Sequence, residues 1–193
     1  MEEEYIYLVF SKTSTWLSKL IGHFINSKYT HVTLSLDNNF NKMYTFGRVN
    51  PNNPFSGGLT IEDLSCGVYT KSKSTYCSIY KIKITKKQFE EVIIQLNKYY
   101  TSNIKYKYNF IGLFGVLFNK PIKRNRHMFC SQFVSNILIN SNIHKFNKVP
   151  ELIKPCDLLE LESKELIYDG LLYNYNLNNL NILTQTNFLK RVI

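Results

Sequence analysis

The sequence predicts an α+β fold, an antiparallel sheet packed against helices in one domain spanning residues 1–193. Three observations lead there. Segments rich in β-formers alternate with period two, other segments repeat apolar residues at helical spacing, and no internal repeat or flexible linker divides the chain. With 193 residues, 44% of them hydrophobic and 20% charged, a single sizeable core is expected, because two halves would each bury too little surface. Aromatics reach 15%, with 14 Tyr and 13 Phe, and supply much of that buried area.

Each element has a local reason. Glu4 to Phe10 is rich in β-formers and reads as a strand. Ser14 or Thr15 can cap the helix whose stripe is Trp16, Leu17, Leu20, Ile21 and Phe24. In His31 to Leu36, Val32, Leu34 and Leu36 point one way while His31, Thr33 and Ser35 point the other. Asp37-Asn38-Asn39 is turn chemistry, and Lys42 to Val49 is the partner strand. The run from Asn50 to Gly58, with Pro51, Pro54, Gly57 and Gly58, is a loop long enough to serve as a lid. Thr75 to Ile84 is a further strand. Thr85-x-x-Gln88 forms a capping box before a helix with Phe89, Val92, Ile93 and Leu96 inward. Asn109 to Phe118, almost wholly apolar, is expected to be a central buried helix. Cys130 to Ile139 is another helix, burying Phe133, Val134, Ile137 and Leu138. A short helix from Asp157 and a weak strand at Glu165 to Tyr168 complete the chain.

Charge and cysteine usage exclude several classes. The net charge of +10 comes from dispersed lysines, with one tight cluster at Lys120, Lys123, Arg124 and Arg126. No zinc knuckle, aromatic ribonucleoprotein signature or basic heptad region accompanies it, so no nucleic acid partner is expected. The acidic start Met1-Glu2-Glu3-Glu4 is unlike a secretory signal. The longest apolar run, Phe110 to Phe118, is about half of a membrane span, so no transmembrane segment is expected; interfacial contact by that run stays open, behind a buried helix. Cys66, Cys77, Cys130 and Cys156 form no Cys-x-x-Cys pair, which argues against a zinc ribbon or a thioredoxin motif. A reducing, cytoplasmic setting without disulfides is expected. His127, Cys130 and Cys156 lack a fourth ligand, so neither metal nor cofactor is expected.

Cys130 stands at a helix start, where unpaired N–H groups and the positive end of the helix dipole favour a thiolate. Its own N–H can also bind an oxyanion. A cysteine nucleophile needs an imidazole to take its proton and return it to the leaving group. His31, on the polar face of a strand, is the natural partner, and His127 is a rival base. Taken singly, Cys130 is better read as a small buried residue and His31 as a satisfied strand histidine.

Together they are more specific. Tyr29-Thr30-His31-Val32-Thr33-Leu34-Ser35-Leu36 and Phe129-Cys130-Ser131-Gln132-Phe133-Val134 resemble the two signature blocks of the circularly permuted NlpC-type papain-like proteins, whose histidine precedes the cysteine. Lys154-Pro155-Cys156-Asp157-Leu158 is similar to that family's Pro-Ser-Asp-Leu ending. The resemblance covers residues 5–160 and leaves 161–193 as a C-terminal extension. It implies a permuted papain-like fold and thiol-dependent acyl transfer, with Cys130 as nucleophile and His31 as base. The implied substrate is a small-molecule, peptide or lipid acyl compound. The family's third residue, often Glu on the strand after the histidine, aligns here with Thr45. Tyr44, Phe46, Arg48 and Phe55 are the expected substrate-binding residues. A binding domain that keeps the cleft without strong catalysis is the alternative, since threonine cannot stabilise an imidazolium as a carboxylate does.

Overall fold

A computed structural model describes residues 3–12, 28–50, 53, 56–67, 69–70 and 73–175. The helix expected at Trp16 to Phe24, and Phe55 in the lid loop, lie outside the described residues. The strands are β1 (Glu3–Lys12), β2 (His31–Ser35), β3 (Met43–Arg48), β4 (Gly57–Glu62), β5 (Tyr76–Thr85), β6 (Lys107–Tyr108), β7 (His127–Met128) and β8 (Lys164–Leu171). Among the described residues the α-helices α1 (Lys86–Tyr100), α2 (Phe110–Leu117) and α3 (Cys130–Asn140) accompany them.

All eight strands join one sheet in the order β7-β6-β4-β3-β2-β1-β5-β8. Every pairing is antiparallel except β6 with β7. The mixed α+β architecture expected from the alternating patterns is therefore present. β1 is the spine, matched residue for residue against β5 from Glu3↔Thr85 to Lys12↔Tyr76 and against β2 from Tyr7↔Ser35 to Ser11↔His31. Period-two side chains sort onto two faces. Ile6, Leu8, Phe10, Val32, Leu34 and Phe46 meet Phe133, Val134, Ile137 and Leu138 of α3, and Val92 and Leu96 of α1, in the main core. Val9, Met43, Cys77 and Ile79 join Phe40, Leu64, Tyr69 and Leu172 in a smaller cluster.

α1 opens with the anticipated capping box, Thr85 Oγ1 accepting from Gln88 N–H and Gln88 reaching back to Thr85 N–H. Part of the chain beyond residue 160 is structural, because β8 pairs along β5 as an edge strand. Asp169 on β8 accepts hydrogen bonds from Tyr29, Tyr76, Ser78 and Lys28 and ties that edge to the body.

Two expectations change. Gly57 and Gly58, read as loop, open β4; a side chain at Gly58 would collide with the Tyr106 carbonyl of the crossing chain, so glycine is what lets β6 approach. Asn109 to Phe118 is helical but not central. It turns Gly112, Gly115 and Val116 inward and leaves Ile111, Phe114, Leu117 and Phe118 exposed. The inward face is made of small residues because the backbone packs closely there: a Cβ on Gly115 would strike the Lys120 carbonyl.

Candidate active site

The parallel pair β6–β7 sets Met128 beside Tyr108, and Asn109 N–H bonds to the Met128 carbonyl at 2.9 Å. The chain then turns at extended Phe129 (φ −112°, ψ 171°) into α3, whose first residue is Cys130. No side chain caps this helix, so its first N–H groups are offered to the space in front of the sulfur. Phe129 and Phe133 pack around Cys130, which is only 2% exposed.

His31 opens β2, opposite Ser11 at the end of the β1 ladder. Its Nε2 lies 3.0 Å from Glu62 Oε2, and the Cys130 side chain lies close enough to the ring to help raise its pKa. The side chains of His31 and Glu62 are 18% and 9% exposed. Glu62 ends β4 and accepts a second bond, 2.7 Å, from the buried Tyr69 hydroxyl. Gly47 makes room for this contact: a Cβ there would collide with Glu62 Oε1 and stand 3.4 Å from His31 Cε1.

The electrostatics follow from burial and pairing. Burial alone pushes the His31 imidazole down, but the Glu62 charge, the nearby Cys130 side chain and the hydrogen bond His31 donates to Glu62 outweigh it and raise the pKa well above 6.5. Burial pushes Glu62 up, yet His31, the Tyr69 hydroxyl and the Arg48 charge bring it below 4.5. Both shifts favour the imidazolium–carboxylate form of the pair. Tyr108 is packed beside Cys130, and burial, then the Cys130 and Glu62 charges, drive its pKa well above 10.

The structure brings Cys130 and His31 together and corrects several other expectations. Thr45 does not hold His31: its hydroxyl donates to the Val32 carbonyl at 2.9 Å, fully buried, and the neighbour of His31 on β3 is Gly47. Phe46 is core rather than pocket, with its ring 5.4 Å from Phe133 and 6.1 Å from Tyr106. Tyr44 packs edge-on against Tyr100 at 5.3 Å. Strand parity explains both, since Tyr44 and Phe46 share the face of Leu34, which belongs to the core. Arg48 does line a cavity, of about 170 Å³, with Glu62, Asp63, Cys66 and Tyr69. His127 is no base for Cys130: its Nδ1 bonds to the Asn125 carbonyl at 2.7 Å, and it lines an open groove of about 520 Å³ with Lys105, Lys107, Arg124 and Tyr108. Among the described residues no group of three or more His, Cys, Asp or Glu is placed to hold a metal ion.

Glu62, Tyr69, Tyr108 and Gly47 were missed in the sequence. For Glu62 a signal existed, because Gly58-Leu59-Thr60-Ile61-Glu62 alternates as a strand and ends in an acid.

No family model matches the chain, and no curated protein matches it. Among solved structures it is similar to the metalloprotein YiiX of Escherichia coli O157:H7 (DUF1105), with a TM-score of 0.56 and 12% identity over 86% of this chain and 97% of that one. At that identity the likeness is one of fold.

Proposed function

We propose that the chain is a thiol-dependent acyl-transfer enzyme of the permuted NlpC-type papain-like class. The observation that carries this reading is His31 held between Cys130 on one side and the Glu62 carboxylate on the other. Glu62 replaces Thr45 as the orienting group, so the motive for a weakly catalytic binding domain falls away.

His31 takes the proton of the Cys130 thiol, the sulfur attacks the carbonyl carbon of an amide, ester or thioester, and the carbonyl electron pair moves to oxygen. The N–H of Cys130 donates to that oxyanion. The tetrahedral species collapses, the bond to the leaving group breaks, and protonated His31 supplies the leaving group's proton. Glu62 keeps the imidazolium oriented throughout. Water then releases the acyl group as an acid, or an amine carries it off as an amide. A small apolar cavity of about 10 Å³, room for about one water, is bounded by Thr30, Tyr108, Leu113, Val116 and Ile153 and adjoins the sulfur.

Limited iodoacetamide labelling at pH 6, read by peptide mass mapping, tests the reading. Burial and Asp63 raise the Cys66 pKa, and burial pushes Cys77 to about 12, so both are slow references. Cys130 should label at least about tenfold faster than either, and His31→Ala should remove the difference. Labelling of Cys66 ahead of Cys130, unchanged by His31→Ala, would overturn it.

A further inference from the structure

α2 buries its small residues and exposes its large ones. Ile111, Phe114, Leu117 and Phe118 are 50, 52, 42 and 68% exposed. Ile111, Phe114 and Phe118 are spaced three and four apart and so form one stripe, with Leu117 on its flank. A contiguous apolar stripe of this size on the surface of a folded domain marks an interaction site.

The same part of the chain carries nearly all of its charge. Between Glu91 and Glu151 there is no Asp or Glu, while Lys98, Lys105, Lys107, Lys120, Lys123, Arg124, Arg126, Lys145 and Lys148 contribute nine of the net +10 charges. Four of these, Lys120, Lys123, Arg124 and Arg126, follow α2 at once, and among the described residues none of the four is in an ion pair. Their position is set by the helix end. Asn119 adopts φ 52°, its N–H bonds to the Val116 carbonyl at 3.3 Å, and Lys120 N–H bonds to Gly115 at 2.8 Å, a Schellman closure. Asn109 Nδ2 then holds the Ile122 carbonyl at 3.1 Å. The loop is therefore fastened back against α2, so its cations follow directly on the helix that carries the apolar stripe.

We propose that α2 and the loop from Lys120 to Arg126 form a docking face for an anionic lipid surface. The apolar stripe enters the headgroup–acyl boundary, and the lysines and arginines meet the lipid phosphates and carboxylates. Charge complementarity selects this occupant, because a stripe of large apolar residues bordered by unpaired cations is the pattern of an interfacial helix. Nucleic acid would engage the cations but not the apolar stripe. The inner side of α2 supplies Leu113 and Val116 to the cavity beside Cys130, so docking sets the candidate site at the bilayer face. The docking itself does not depend on the chemistry of Cys130.

Co-sedimentation of the full chain with phosphatidylcholine vesicles, alone or with about 30 mol% phosphatidylserine, tests this at about 0.1 M salt. Binding is expected to the anionic vesicles only and to fall as salt rises. Lys123→Gln with Arg126→Gln should weaken the partition coefficient about twenty-five-fold, at about fivefold per charge. Ile111→Ser with Phe118→Ser should weaken it about tenfold or more, from the lost apolar insertion. All four side chains are exposed, so thermal melting and Cys130 labelling should match the parent in both variants. Failure to bind, equal binding to neutral vesicles, binding unchanged in the variants, or pelleting without vesicles through self-association would each overturn the proposal.

Discussion

Glu62 Oε2 and His31 Nε2 stand 3.0 Å apart across the sheet, joining the end of β4 to the start of β2. That contact, with Cys130 beside His31, defines the candidate site and sets most of what can be measured.

Replacing Glu62 by Gln keeps the shape but removes the charge that stabilises the imidazolium. Turnover of an activated acyl ester should fall by about 10²-fold or more. Thr45→Val, which deletes the bond to the Val32 carbonyl, should cost about 1 kcal/mol of stability while changing turnover less than about threefold. Parallel kinetics and urea melts check both.

The ion pair gives stability a pH window. The His31 pKa is raised on folding, so its contribution is full below the ordinary 6.5 and is lost as pH rises through the folded value. The Glu62 pKa is lowered, so its contribution is full above the ordinary 4.5 and is lost as pH falls through the folded value. The stability gap between the parent chain and Glu62→Gln should therefore be widest between pH 4.5 and 6.5 and narrow on either side, as read by urea melts across pH.

Gly47→Ala should damage activity more than stability. The added methyl displaces the Glu62 carboxylate and crowds the His31 ring, while a strand otherwise tolerates alanine at little cost. A loss of about tenfold or more in turnover is expected, because small misplacements of a catalytic group are costly. A variant with unchanged kinetics would show that the carboxylate has room to move.

Asp169→Asn should loosen β8 without touching the site. Burial raises the Asp169 pKa, but donors from Ser78, Tyr29, Tyr76 and Lys28 win and bring it from 3.8 to about 2. Its contribution is present above pH 3.8 and is lost as pH falls through about 2. With the side chain about one-third exposed, a drop of about 2–4 °C in Tm at neutral pH is expected, alongside unchanged Cys130 labelling.

Most of the fold was legible because local rules and burial agree there. β1, β2, β3 and β5 alternate, and α1 and α3 show capping or a clear stripe. The pair Cys130 and His31 was singled out through the resemblance of two short blocks to a family signature, since neither residue carries a pattern of its own. β4 was hidden because Gly57-Gly58 reads as turn chemistry, and its role in admitting β6 exists only in three dimensions. With β4 went Glu62, so the orienting role fell by default to Thr45. α2 misled for the opposite reason: its apolar content implied burial, whereas its glycines decide which face packs. Tyr108 reaches Cys130 through a two-residue strand too short to leave a pattern.

The measurement that bears most directly on the central claim is the mass of an acyl adduct. The chain is mixed with an activated acyl thioester, quenched in acid and mapped by peptide mass. The acyl group should be found on Cys130, absent in Cys130→Ala, and formed about 10²–10⁴-fold more slowly in His31→Ala. Acylation spread over Cys66 and surface lysines, or formed on Cys130 at the same rate without His31, would contradict the account.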